Sequence, residues 1–264
     1  MSTIPLSSLK KGAVVHIDSI APNPVFGDLD TLVTRRLSDL GFSSGMPLQV
    51  IAVGGFVCAK SYWKEHTHEY ALMQIRAAIE KKDAAGFAEY VDVERVLYGM
   101  HENASELLAA HIDALHERYP DDWFFRHDAA FMTRYMAERR TRDVASARAM
   151  LDYYFDEKRV PVTREDGAAR WGADEMRVFA AHYTAASIAL TAADEAHAVY
   201  LCSVRGDEST YGRLMPEGNV RLVLEKQDTG HWKLVQIETS DRSDNGFYAF
   251  VDGAERYWAL QGWD

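Results

Sequence analysis

Apolar positions recur along this chain at two different spacings, and the change of spacing divides it into three stretches. In the first, residues 13–17 with Ile20, and later residues 48–53, alternate as short strands do. Between them Leu32, Leu37 and Leu40 fall near helical spacing. Asp28 or Asp30 can cap the start of that segment and Gly41 can stop its end. The expectation is a small twisted barrel with one short helix over residues 29–40. From Tyr62 the period lengthens. Leu72, Ile75 and Ile79 form a helical stripe, Phe87 and Tyr90 a shorter one, and Leu107, Leu108, Ile112 and Leu115 a longer one ended by Tyr119-Pro120. Phe131 to Met136 and Val144 to Tyr154 read as two further helices. After that the period returns to two. Residues 182–190, 198–204, 220–225 and 232–237 read as strands, with Gln227-Asp228-Thr229-Gly230 as a hairpin loop and a tail helix over residues 252–260. Helices followed by an antiparallel sheet define an α+β class. The predicted division is residues 1–58 and residues 65–264.

Composition narrows this picture rather than changing it. Apolar residues make up 47% and charged residues 26% of the 264-residue chain, which excludes wholesale disorder and a polytopic membrane protein. The net charge is −11. In the first 60 residues Lys10, Lys11, Arg35, Arg36 and Lys60 offset Asp18, Asp28, Asp30 and Asp39, so the acidity lies in the later part. An acidic body repels phosphate backbones and argues against nucleic acid as a partner. Cys58 and Cys202 stand alone, with neither a disulfide framework nor a metal knuckle, as suits a reducing compartment. The opening MSTIPLSSLKK has no apolar core of signal-peptide length, and the best apolar run, residues 46–59, is shorter than the roughly 20 residues a bilayer span needs. A cytoplasmic protein without a membrane span is expected.

Two stretches carry a resemblance. Leu6-Ser7-Ser8-Leu9-Lys10-Lys11-Gly12 before an apolar strand, and then Arg36-Leu37-Ser38-Asp39-Leu40-Gly41-Phe42-Ser43-Ser44-Gly45 before another, resemble the signature of the FeoA domain over residues 4–56. That resemblance implies an SH3-like barrel and an interaction or regulatory role, with a FeoB-like ferrous iron transporter as the protein partner and Arg36, Asp39 and Phe42 as partner-binding residues. This sequence departs from the family after Gly54-Gly55-Phe56, where a further strand pair is normally found, so the barrel can be incomplete or completed by the second domain. Residues 65–240 are similar, more faintly, to a bacterial domain family of unknown function. Their ending, Arg221 to Glu225 and then His231-Trp232-Lys233-Leu234, resembles cone-shaped domains of the nuclear-transport-factor-2-like type.

Candidate chemistry is sparse. His66 and His68 in Glu65-His66-Thr67-His68-Glu69 would share a face in a strand and could then bind a transition metal ion; in a linker they would simply be solvated. His111 sits on an apolar stripe and reads as a hydrogen-bonded core residue. There is no HExxH, P-loop or nucleophile elbow. On a concave sheet, His182, Tyr183, Tyr200 and Trp232 would line a ligand pocket, although aromatic residues at strand spacing usually form core. No catalytic residue and no cofactor is assigned. The expected function is a non-enzymatic interaction or regulatory protein linked to ferrous iron transport or transition-metal homeostasis. Its alternative is a small-molecule-binding protein or enzyme using the pocket of the C-terminal domain.

Overall fold

A computed structural model describes residues 14–16, 47–49, 66–240 and 245–262. The chain separates into two compact units, Met1–Glu65 and His66–Asp264. In the first unit β1 (Val14–His16) pairs antiparallel with β2 (Pro47–Gln49), Val15 opposite Leu48. The expected helix over residues 29–40, the closure of a barrel, and Arg36, Asp39 and Phe42 lie outside the described residues.

The second unit is mixed helix and sheet. Its helices are α1 (His68–Lys81), α2 (Ala84–Tyr90), α3 (Val93–Arg118), α4 (Ala129–Phe155), α5 (Arg164–His182) and, after the sheet, α6 (Phe247–Gln261). The first five each begin at a side-chain cap: Thr67, Asp83, Asp92, Asp128 and Thr163 accept from backbone N–H groups of the first turn. Four N–H groups at every helix start lack an internal partner, so short oxygen-bearing side chains are favoured there. Part of the acidity of the chain is therefore spent on helix starts. The two stripes expected around Phe131 and Val144 belong to one continuous helix, α4. Helix α5 was not foreseen at all. Its buried face is Ala169, Gly172 and Ala173, too small to register as a hydrophobic stripe. The small face is needed because a Cβ on Gly172 would stand 2.3 Å from the Met150 sulfur of α4.

The sheet is open, antiparallel and four-stranded, in the order β3 (Tyr183–Ala193), β4 (His197–Gly206), β5 (Glu217–Lys226), β6 (Trp232–Glu238). Its register places Ala198, Tyr200, Cys202 and Val204 on one face opposite Leu224, Leu222, Val220 and Gly218. The simple alternation expected for β6 fails at an irregularity between Val223 and Leu224. Leu234 faces inward with Leu224, while Ile237, not Gln236, is paired with the inward Leu222. The helices α1 to α3 pack on this face towards β6, joining Ala71, Ile75, Tyr90, Val93 and Val96 to Tyr200, Leu224, Trp232 and Leu234 in the main core. A bidentate Arg95–Glu225 pair, at 2.6 and 2.9 Å, ties the start of α3 to β5 and lowers the Glu225 pKa through the guanidinium hydrogen bonds. A second core of Ile112, Leu115, Phe125, Met132 and Phe247 joins α3, α4 and α6. His111 borders it, its Nδ1 3.1 Å from the Tyr248 hydroxyl. No helix among the described residues is long and apolar enough to cross a membrane.

Candidate functional site

Helix α5 runs straight into β3, and this junction forms one side of a cavity in the second unit. Its volume is about 370 Å³. Phe179, Ala180 and Tyr183 enter it from the junction, Val204 from β4, Leu214 and Met215 from the β4–β5 loop, and Phe250, Gly253, Ala254 and Tyr257 from α6. The α6 residues repeat at i, i+3, i+4 and i+7, one face of a helix. The wall is almost wholly apolar, and its polar atoms are already engaged. The Tyr183 hydroxyl donates to the Tyr211 carbonyl at 2.8 Å and accepts from the Met215 N–H at 3.1 Å. The Tyr257 hydroxyl donates to Glu175 at 2.8 Å. Burial raises the pKa of both phenols, and the Glu175 carboxylate pushes Tyr257 further in the same direction. Both therefore stay protonated at neutral pH. An uncharged apolar molecule meets no unpaired polar group in such a wall.

The loop that forms one side of the cavity is held by its own clasp. The Asp207 N–H donates to the His182 carbonyl at 2.9 Å, and the Asp207 carboxylate lies 2.8 Å from His182 Nδ1. Ser209 Oγ lies 3.0 Å from the same nitrogen, and it accepts from the Gly212 N–H at 3.0 Å. Serine, histidine and aspartate thus stand together, but in the wrong order for a nucleophilic relay. In a relay the acid and the serine occupy opposite ring nitrogens. Here both occupy Nδ1. A carboxylate at that distance requires Nδ1 to carry the proton, so the nitrogen has no lone pair with which to activate Ser209. The Ser209 hydroxyl instead hydrogen-bonds the Asp207 carboxylate, and with His182 and the Ser209 N–H it draws that carboxyl down to about 2. The trio is a staple for the loop. Two glycines let the loop close: a Cβ on Gly206 would lie 1.9 Å from the Gly212 carbonyl oxygen, and one on Gly212 would lie 2.4 Å from the Asp207 N–H nitrogen.

The four residues expected to share a pocket are divided between two places. Tyr183 lines the cavity and His182 fastens its loop. Tyr200 and Trp232 belong to the core beneath α1 instead. There His68, only 7% exposed, has Nδ1 2.5 Å from the Tyr200 hydroxyl and its ring edge-on to Trp232. Desolvation and the nearby Glu69 raise the Tyr200 pKa. Trp232 Nε1 donates to the His66 carbonyl at 3.0 Å, while the His66 ring lies against His231 at 4.7 Å. His66 and His68 therefore take separate surroundings rather than one shared face. Among the described residues no three His, Cys, Asp or Glu side chains are grouped to hold a metal ion.

Sequence reasoning missed Phe179, Phe250 and Tyr257. The spacing of Phe250, Gly253, Ala254 and Tyr257 was a usable signal for a shared helical face. Nothing local indicated that α5 would supply the opposite wall. No family model matches this chain, and neither the curated proteins nor the solved structures contain a match to it.

Proposed function

We propose that this is a non-enzymatic binding protein whose second unit holds a compact, uncharged, apolar molecule between α5, α6 and the β4–β5 loop. The observation that carries the reading is the cavity wall: about 370 Å³ lined by Phe179, Tyr183, Leu214, Met215, Phe250 and Tyr257, with both phenols already hydrogen-bonded to protein groups. Pockets of this size and character suit small ligands. The clasp of His182, Asp207 and Ser209 supports binding over nucleophilic catalysis, because it consumes the groups a hydrolytic site would need. For the first unit, the motif over residues 36–45 supports recognition of a protein partner, with a FeoB-like transporter as the partner the resemblance names.

Titration with N-phenyl-1-naphthylamine, a neutral apolar fluorophore, tests the cavity. Saturable binding of one probe per chain is expected, weakened at least about tenfold in Ala254→Phe, which fills the cavity; that loss corresponds to about 1.4 kcal/mol. Circular dichroism of the variant should match the parent. Binding that does not saturate, or that Ala254→Phe leaves unchanged in a folded chain, removes the proposal.

A further inference from the structure

We propose, resting on the reading of the cavity as a binding site, that it selects a rigid, neutral aromatic ring system over a saturated or chain-like molecule of the same size.

Rings are concentrated in the wall. Phe179, Tyr183, Phe250 and Tyr257 are four of its ten residues, in a chain whose aromatic content is 11%. Two local sequences place them. On α6 the lining face reads Phe250, Gly253, Ala254, Tyr257. At a helical rise of 1.5 Å per residue, the two ring-bearing positions stand about 10.5 Å apart along the axis. Between them Gly253 has no side chain and Ala254 only a methyl. The α5–β3 junction also sets a small residue, Ala180, between two rings, Phe179 and Tyr183. Rings at the ends with small residues between them shape a slot, and a flat molecule fits a slot better than a round one.

The slot is braced from within. Phe179 lies 5.5 Å from Tyr257 and 6.0 Å from Tyr183, tilted by 56° and 36°. The two phenols are pinned at their polar ends by Tyr211, Met215 and Glu175. Rings fixed in this way offer an incoming ring the edge and face contacts that aromatic pairs favour beyond the area they bury. The Phe250 ring stands apart. Among the described residues it is paired with no other aromatic ring, so its stacking partner is left for the ligand. Beside it lies the Met215 thioether: the Met215 sulfur and the Phe250 Cζ stand 2.9 and 3.2 Å from the place a Cβ on Gly218 would take. A polarizable sulfur next to that ring adds a contact that arenes favour.

The same wall disfavours the other classes. None of its ten residues is Asp, Glu, Lys, Arg or His, so a charged ligand finds no counter-ion there. A flexible chain would lose its rotational freedom between fixed walls, whereas a fused ring system has little to lose.

Three neutral alcohols of equal carbon number separate these effects. 2-Naphthol is rigid and aromatic, decahydro-2-naphthol is rigid and saturated, and 1-decanol is saturated and flexible. Titration calorimetry of each into the full chain at neutral pH should show 2-naphthol bound at least about tenfold more tightly than either of the others. That order, read on the unaltered chain, decides the question without any variant. Phe250→Leu replaces a half-buried ring by another apolar side chain. It should lower the preference for 2-naphthol severalfold and leave the affinity for decahydro-2-naphthol nearly unchanged, in a chain whose circular dichroism matches the parent. Saturable binding of all three with equal affinity, or tighter binding of a saturated alcohol, overturns the aromatic class and leaves the cavity a binding site. A preference for 2-naphthol that survives Ala254→Phe overturns it too, because the binding then lies elsewhere. If none of the three binds and N-phenyl-1-naphthylamine is not taken up either, the cavity reading itself falls, and the ligand class with it.

Discussion

Two aromatic groups sit on the same face of one sheet and have opposite fates. Around Tyr200 and Trp232 the helix α1 lies close, and His68 fills the space between the two rings. Around Tyr183 and Val204 the covering helices are α5 and α6, which hold Phe179, Phe250 and Tyr257 around an open volume of about 370 Å³. The strands are similar in composition at both places. What differs is the covering helix and the side chains it contributes. A histidine and a buried alanine face, including Ala71, fit down onto the first group. Large rings propped by hydrogen bonds to Tyr211, Met215 and Glu175 hold the second open. A closed core and an open cavity are thus two outcomes of covering the same sheet, set by the side chains that the covering helices contribute.

The contrast can be broken most forcefully at Trp232. Trp232→Ala removes a buried ring and its bond to the His66 carbonyl, and should cost about 3–5 kcal/mol in urea unfolding. Phe250→Ala, beside a volume that is already open, should cost clearly less; equal losses would mean that the cavity is as tightly packed as the core. Tyr200→Phe removes the buried hydrogen bond to His68, whose Nδ1 also lies 3.2 Å from Glu69, and should cost about 1.5 kcal/mol. Tyr183→Phe removes one bond given and one received at a partly exposed site, with an expected loss of about 1 kcal/mol. The smallest effect is at the clasp. Because the Asp207 carboxyl is held below its ordinary pKa, at about 2, the ionised form is favoured in the folded chain. The contribution is therefore complete near neutral pH and fades as pH falls from about 4 to about 2. The difference in unfolding midpoint between the parent and Asp207→Asn should hold steady from pH 7 to pH 5 and shrink below that window. A difference that grows in acid would reverse the assignment.

Much of the second unit was legible before its structure. The stripes of Leu72 and Ile75 and of Leu107 to Leu115, the strands ending in Trp232-Lys233-Leu234, and the α+β order all appear where the apolar spacing placed them. Periodicity sees these elements because each buries one large apolar face. It did not see α5, whose packing face is alanine and glycine, and it divided α4, whose buried residues Met132, Val144 and Tyr153 are widely spaced. The pocket residues were half legible for the same reason. Tyr183 was named because it is aromatic in a strand, but so were Tyr200 and Trp232, and strand position alone does not say which helix will cover them.

The amino-acid sequence by itself determined the class of the second unit, the starts of its helices at threonine and aspartate, the acidity of its surface and an uncharged strand from Tyr183 to Ala193. These are local properties, set by spacing, capping and charge within a few residues. Only the tertiary structure decided that α5 and α6 would line a cavity, that Ser209 and Asp207 would meet the same nitrogen of His182, and that β3 would stand at the margin of the sheet. Each of these joins residues tens of positions apart, and their approach depends on the packing of whole elements against one another rather than on any pattern readable along the chain.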